Sequence, residues 1–410
     1  MSSSLPRVLM LPKWYPNRYD DLDGDFVERH IAAIAPHARA AVLYATVAQG
    51  PQPRLVEYVA DWAAAVPTLR YYYRARPTGL PPLDKLLKLL LYFGCLLHGY
   101  GRLRRRWGRP QLVHVHVLLR TGLAAWGLKL LTGIPFVITE HWTLYLPPNA
   151  HRIGRLRRWL TARVVRAAAA LHTVSADLRA ALARLGAVNP QSFVIPNVVD
   201  TELFRPDPAP IVPSIDEQQR GGRLLHVAAF NEQAKNLSGL LRVVARLRPR
   251  RPQLTLRVVG YGPYDAQLRA LARELGLMES GAVTFLGKLD HVAVAAEMRR
   301  AGVFVLFSNY ENLPCVLIEA QASGLPAVAT RVGGVPELLP GHDARGRLVM
   351  PRDEAALEQA LDELLSQPLP QPEALRTPAV ARFSYPAVGR QFAELYARVL
   401  GAASATAAAR

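Results

Sequence analysis

The chain has 410 residues, half of them apolar and a fifth charged, a composition that allows two separate cores and excludes a disordered chain. The formal net charge of +18 points to an anionic counterpart, whether nucleic acid, an acidic membrane surface or a phosphorylated substrate, although much of it is Arg in an Ala-, Leu- and Pro-rich chain and also reads as compositional drift. Two cysteines, Cys95 and Cys315, cannot build a disulfide framework or a Cys/His zinc site, so a reducing cytoplasm is the expected compartment.

In chain order, the opening MSSSLPRVLMLPKWYP lacks a charged-then-apolar secretory pattern and turns at once into a buried strand. Strands are predicted at 7–11, 41–45, 112–117, 136–139, 171–174 and 193–195, alternating with helical patterns. The most hydrophobic window, 86–97, is broken by Lys88 and falls short of the roughly 18 residues a membrane span needs, so no segment is expected to cross a bilayer. Residues 206–217 carry four prolines and no apolar period, which reads as a linker. The pattern then restarts, with strands predicted at 223–228, 254–260, 283–286, 303–307 and 327–330 and a last helix over 387–400, followed by a small-residue tail expected to fray. Two alternating halves predict an α/β architecture of two doubly wound, Rossmann-like domains facing across a cleft: 1–205, with 386–410 packing back on it, and 206–385.

The densest chemistry lies at 311–336, ENLPCVLIEAQASGLPAVATRVGGVP. Glu311 falls in a strand-to-helix loop and Glu319 inside the following helix, which Gly324-Leu325-Pro326 ends. Two carboxylates eight residues apart at the carboxyl end of a strand suit several hydroxyls beside a phosphate held by a helix N-terminus, as in a nucleotide sugar. Glu-x7-Glu, then A-x-A-S-G-x-P and G-G-x-x-E, resembles the retaining family-four glycosyltransferases, glycosyl transferases group 1, which have the GT-B fold.

The resemblance implies a set of roles. Glu319 would bind the ribose hydroxyls and Glu311 those of the transferred sugar, with main-chain groups of Asn312, Leu313 and Cys315 at sugar and phosphate. Lys235 resembles the lysine that neutralises the diphosphate, but Phe230 stands where many relatives carry a second cation, an Arg. Gly24 and Asp25 resemble the glycine loop near the diphosphate, and His141 the histidine that reaches the donor sugar. Gly260, Tyr261, Lys288 and Leu289 match loops that flank the base. His114 and His116 share one strand face, as cleft lining or as a core pair, and Asn197 closes a turn.

The implied reaction is hexosyl transfer from a nucleotide sugar, UDP or GDP, to a hydroxyl acceptor, saccharide or lipid-linked. It proceeds with retention and without metal or other cofactor, in cell-surface polysaccharide or glycolipid synthesis. The Arg clusters 101–109 and 151–166 fit peripheral contact with the inner face of the plasma membrane, or a solvated helix face; no nucleic-acid recognition motif accompanies them. A retaining glycosidase is the rival enzyme, needing two carboxyls about 5 Å apart across the scissile bond. A nucleotide-sugar-binding scaffold with weak catalysis is the non-enzymatic rival, and Phe230 is its support.

Overall fold

A computed structural model describes residues 5–76, 78–206, 222–339, 341, 343 and 345–408. The predicted linker beyond residue 206 lies outside the described residues, as do residues 1–4 of the chain start. The chain divides into two compact units, Met1–Val198 with Val388–Arg410, and Val199–Ala387.

Unit 1 is built on eight strands: β1 (Arg7–Pro12), β2 (Arg39–Val47), β3 (Val56–Asp61), β4 (Thr68–Tyr73), β5 (Leu112–His116), β6 (Phe136–Glu140), β7 (Ala170–Thr173) and β8 (Ser192–Val194). Their order is β3-β4-β2-β1-β5-β6-β7-β8, parallel throughout except for the antiparallel β3–β4 pair. The central strands β1, β5 and β6 read as short apolar runs because both faces are covered, and all their residues from Val8 on are buried. β3 and β4 were not predicted. β3 is the edge strand and β4 lies between it and β2; VEYVAD and TLRYYY mix polar, charged and aromatic residues, which hides the strand signal.

Unit 2 has six parallel strands, β9 (Arg223–Val227), β10 (Thr255–Val259), β11 (Val283–Gly287), β12 (Val303–Leu306), β13 (Ala327–Thr330) and β14 (Gly346–Val349), ordered β11-β10-β9-β12-β13-β14. β14 too was missed, since a four-residue GRLV offers little pattern. Its core gathers Leu240, Val244 and Leu247 from the helix Leu237–Leu247 against Leu256, Val258 and Val305 of the sheet.

The last helix, Tyr385–Ala408, runs eight residues past the predicted end, so the tail expected to fray is helical through Ala408. Good helix formers such as Ala allow that extension. Gly389 lets this helix lie close on the helix Asp25–Ile34, because a Cβ there would stand 2.4 Å from the Ala33 carbonyl oxygen. The other boundary has a local cause as well: the Val199 N–H donates to the Phe383 carbonyl at 2.9 Å, and Arg376 donates to the carbonyl of buried Phe204 at 3.0 Å, tying 199–206 into unit 2.

Candidate active site

In parallel α/β sheets the ligand crevice opens at the carboxyl ends of strands where the strand order reverses. In unit 2 that reversal lies between β9 and β12. The β9 exit leads into the one-turn helix Glu232–Lys235, capped by the Asn231 side chain, which accepts from the Ala234 N–H. Asn309, just beyond β12, ties the two exits together. Its N–H donates to the Ala234 carbonyl at 2.7 Å and its side-chain amide to the Gln233 carbonyl at 3.0 Å. Lys235 and Glu311 are thereby brought together, Nζ to Oε1 at 2.5 Å, and the Ser308 hydroxyl donates to the same oxygen at 2.7 Å. Glu311 is buried and Lys235 half-buried, so little water screens the pair.

The G-G of the motif has a mechanical reason. Gly333 has φ +52°, and a Cβ there would lie 1.9 Å from the Glu311 carbonyl oxygen; the next N–H, of Gly334, donates to the Asn312 carbonyl at 2.8 Å. The exit of β13 thus rests on the Glu311 loop. Asn312 and Leu313 are buried beside it, Cys315 opens the helix Cys315–Ala322 with a half-buried thiol, and Glu319 is buried within that helix between Ile318 and Ala320.

The loops that follow β9, β10 and β11 meet through their backbone. The Gly260 N–H donates to the Gly287 carbonyl at 2.9 Å, and the Phe230 N–H to the Tyr261 carbonyl at 2.8 Å. Tyr261 is exposed with the Lys288 ammonium 5.1 Å from its ring centre, and Leu289 is half-buried. Phe230 is core: its ring lies edge-on to Phe285 at 6.1 Å, in the cluster that holds Leu240 and Val258. Pattern reading missed Ser308, Asn309 and a second cation near this loop, Arg352, whose Nε–H donates to Asn309 Oδ1 at 3.3 Å. Nothing in the local sequence announces Arg352, which enters from beyond β14.

In unit 1 the strand order reverses between β1 and β5. Gly24 caps the helix Asp25–Ile34 with φ +69°, and a Cβ there would lie 2.4 Å from the Trp14 carbonyl carbon and oxygen. The close approach that Gly24 permits is therefore to the chain's own β1 exit. Asp25 forms an i,i+4 ion pair with Arg29. His141 is buried at the β6 exit, its ring 4.8 Å from Phe26 and 5.2 Å from His30. Of the residues predicted to serve the donor, unit 1 thus holds Gly24, Asp25 and His141, and unit 2 the others.

Lys13 and Glu140 escaped notice, because a single Lys or Glu beside a strand carries no pattern. Glu140 accepts from the backbone N–H groups of Leu118, His141 and Trp142 at 2.7 to 2.8 Å, yet burial still raises its pKa to about 7. Burial lowers Lys13 to about 8. Its ammonium sits 3.1 Å from the Trp142 ring centre, and the Arg157 guanidinium lies 4.8 Å from that same centre.

Comparison with known proteins places this geometry. The family described as Glycosyl transferases group 1 matches residues 212–380, and Glycosyltransferase Family 4 matches 27–203. An MMP alpha-(1->4)-mannosyltransferase from Mycolicibacterium hassiacum is 31% identical over 319 residues, 73% of this chain and 73% of that protein. The chain belongs to the family-four glycosyltransferases. Its fold is GT-B: a sucrose-phosphate synthase from Thermosynechococcus elongatus superposes with a TM-score of 0.76 at 23% identity, over 97% of this chain and 100% of that one. Anabaena HepE, solved in complex with UDP, superposes with a TM-score of 0.72 at 18% identity, over 96% and 100%.

Within unit 1 of the glycosyltransferase, a buried relay accounts for two of the histidines. The Ile195 carbonyl accepts from His172 Nε2 at 2.6 Å, which leaves His172 Nδ1 to accept from the Thr139 hydroxyl at 2.7 Å. Thr139 Oγ1 then accepts from His114 Nε2, and His114 Nδ1 from the Tyr396 hydroxyl, both at 2.6 Å. His114 and His116 are wholly buried, a core pair and not cleft lining. The ring nitrogens of His30, His116 and His141 lie within 4.8 Å of one another. A tetrahedral zinc holds its nitrogens roughly 3.3 Å apart, so the cluster would have to close in to take a metal.

The Arg clusters are partly used locally. Arg102 and Arg106 lie over the Tyr58 and Trp62 rings at 4.9 and 4.7 Å, Arg109 donates to the Thr132 carbonyl at 2.7 Å, and Arg158 to the Leu185 carbonyl at 2.9 Å. No helix among the described residues is long and apolar enough to cross a membrane.

Proposed function

We propose that the protein moves a hexosyl group from a UDP- or GDP-sugar to a hydroxyl of a saccharide or lipid-linked saccharide. Transfer proceeds with retention and without a bound metal, in synthesis of a cell-surface polysaccharide or glycolipid at the cytoplasmic side of the membrane. The observation that carries this reading is the Lys235–Glu311 pair at the reversal between β9 and β12. A diphosphate entering there draws the ammonium away from Glu311, which frees that carboxylate for the sugar hydroxyls. Lys235 and the N–H groups where the helix Cys315–Ala322 begins then face the charge that develops on the leaving group. Glu319 accepts from the ribose hydroxyls, and Gly260, Tyr261, Lys288 and Leu289 flank the base. In unit 1, Gly24, Asp25 and His141 are the positions that the family resemblance assigns to the donor.

The bond from the anomeric carbon to the phosphate oxygen breaks, and the bond to the acceptor oxygen forms on the same face. The acceptor proton passes to the leaving phosphate oxygen, so no protein base is required. Trp14, Trp142, Lys13 and Glu140 offer flat rings and charge for a saccharide acceptor. The UDP held by HepE and the mannosyl transfer named for the Mycolicibacterium relative support a nucleotide-sugar donor. Glu311 Oε1 is already engaged by Lys235 and Ser308, which favours transfer over both a metal site and a two-carboxyl hydrolase.

The test is nucleotide release from UDP-, GDP- and ADP-sugars with EDTA present, comparing wild type with Glu319→Ala. Slow release from one donor, lost in the variant, is expected. Absence of both release and thermal shift with every donor would overturn the donor site. The scaffold reading, favoured by Phe230, predicts a thermal shift with a donor but no release with any acceptor offered.

A further inference from the structure

The helix Pro81–Arg106 is about 39 Å long and covers one face of the unit 1 sheet, with Tyr92, Cys95, Leu96, Gly99 and Leu103 turned inward. Its outer side is not polar. Leu83, Leu86, Leu90 and Leu97 recur at helical spacings of three, four and seven and are 42 to 60% exposed. A continuation of that stripe by seven residues reaches Arg104, which is exposed, as is Arg105. Beside the stripe, the helix Arg120–Thr132 exposes Leu130 and Leu131 at 74 and 77%. Between the two helices runs a cavity of about 340 Å³ whose lining, including Leu9, Leu43, Phe93, Leu97, Leu123 and Leu131, is almost wholly apolar.

Leucines left in water along one helix face are costly, and a contiguous apolar patch of this kind marks an interaction surface. Charge selects the occupant. The helix carries Lys85, Lys88, Arg102, Arg104, Arg105 and Arg106 against the single acid Asp84, which is buried and accepts from Thr78. Apolar residues on one side and uncompensated cations at the end match an anionic lipid surface, with the leucines among acyl chains and the arginines at headgroup phosphates.

We propose that the glycosyltransferase seats unit 1 on an anionic bilayer through the Leu83–Leu97 stripe and Arg104–Arg105, and that the adjoining groove takes a hydrocarbon chain from that bilayer. This deepens the proposed acceptor class by selecting the lipid-linked one, and it is tested without turnover. The intact protein is sedimented with phosphatidylcholine vesicles, with and without phosphatidylglycerol, across a salt series. Wild type should bind only the anionic vesicles and be released by salt. The triple variant Leu86→Asp, Leu90→Asp, Leu97→Asp should lose roughly tenfold or more of the binding, and Arg104→Glu with Arg105→Glu about fivefold or more per arginine. These side chains are exposed, so the fold should survive, and donor-driven nucleotide release should be unchanged; loss of release in wild type would count against the donor site alone. Equal binding by the triple variant, or no vesicle binding by wild type, overturns the proposal. So does a wild-type dimer that the leucine substitutions dissociate, since a second copy would then cover the stripe.

Discussion

Both units place charge at the carboxyl ends of a parallel sheet, but they hold it in opposite ways. In unit 2 the charges stand on loops that interlock through backbone bonds and glycines: Asn309 bridges two exits, Gly333 fits against Glu311, and Lys235 meets its carboxylate at 2.5 Å. In unit 1 the polar groups are sunk into the core, with Glu140 pushed up to about 7, Lys13 down to about 8, and five imidazoles kept neutral by burial. Unit 2 presents a formed ion pair that a polyanion can compete for; unit 1 presents shape, aromatic rings and groups poised to change protonation. A transferase needs both kinds of surface, since a donor diphosphate demands fixed charge and a neutral hydroxyl acceptor does not.

The largest effects should come from breaking the unit 2 pair. On the proposed mechanism, Lys235→Ala removes the cation facing the leaving group and should lower turnover on the order of 100- to 1000-fold, with the chain still folded. Glu311→Gln frees Lys235 but weakens the hold on the sugar; donor binding should persist while turnover falls. Steady-state kinetics with the donor found by nucleotide release separates these, and unchanged turnover in both would remove the pair from the mechanism. Lys13→Ala in unit 1 should instead spare donor hydrolysis and impair transfer to acceptor.

Phe230→Arg sharpens the contrast from the other direction. If the position opened on the leaving group, the substitution would raise activity. With the ring packed against Phe285, it buries a charge and should cost about 3 kcal/mol, or roughly 6 to 12 °C in the melting temperature of unit 2, with no gain in turnover. A faster, equally stable variant would show that the side chain can swing into the site.

The unequal legibility of the two units has the same origin. Glu311, Glu319 and Lys235 stood out in the sequence because they are charged residues at set distances from glycines and prolines, a pattern linear in sequence. The strands of both sheet centres were readable because burial on two faces leaves little but Val, Leu, Ile and Ala. Unit 1 hid more. β3 lies at an edge where polar residues are tolerated, β4 beside it carries Arg70 and three tyrosines, Glu140 and Lys13 are single residues whose meaning arises only when β1 and β6 come together, and the relay from Tyr396 to Ile195 spans most of the chain. Phe230 was read as a departure from the family pattern, and only the packing shows that it belongs to the core.

Acid should tell the units apart. Burial holds His30 at about 4 and His172 at about 3, and keeps His114, His116 and His141 well below the usual range. Because the unfolded imidazoles titrate near 6.5, their neutral burial costs nothing above that pH, and stability is lost as pH falls from about 6.5 toward the folded values. His30 alone then costs about 3 kcal/mol below pH 4. Glu140 acts with the opposite sign between about 4.5 and 7, since its folded form holds the proton more tightly, but it is one group against five. Unit 2 holds His226 down to about 4 as well. Hydrogen exchange at pH 7.5 and pH 5 should therefore show unit 1 losing protection first; equal loss in both units would overturn the assignment of neutral imidazoles.

The smallest effect expected is on the outer face of unit 2. Arg242 and Arg246 pair with Glu354, Arg246 and Arg250 with Glu358, and Arg251 with Asp362, at 2.6 to 2.9 Å along two adjacent helices. Seven charges in a row look like a clamp, but the arginines are largely exposed, and screened pairs of long side chains contribute little each. Glu358→Gln should lower the stability of unit 2 by no more than about 1 kcal/mol, roughly 2 to 4 °C in melting temperature, and less at high salt. A shift as large as that of Phe230→Arg would mean that the row acts as one network, with each arginine held in place by the carboxylates on both sides of it. In that case doubling the substitution, with Glu354→Gln added, should cost less than the sum of the two alone, because the first loss would already have released the shared Arg246.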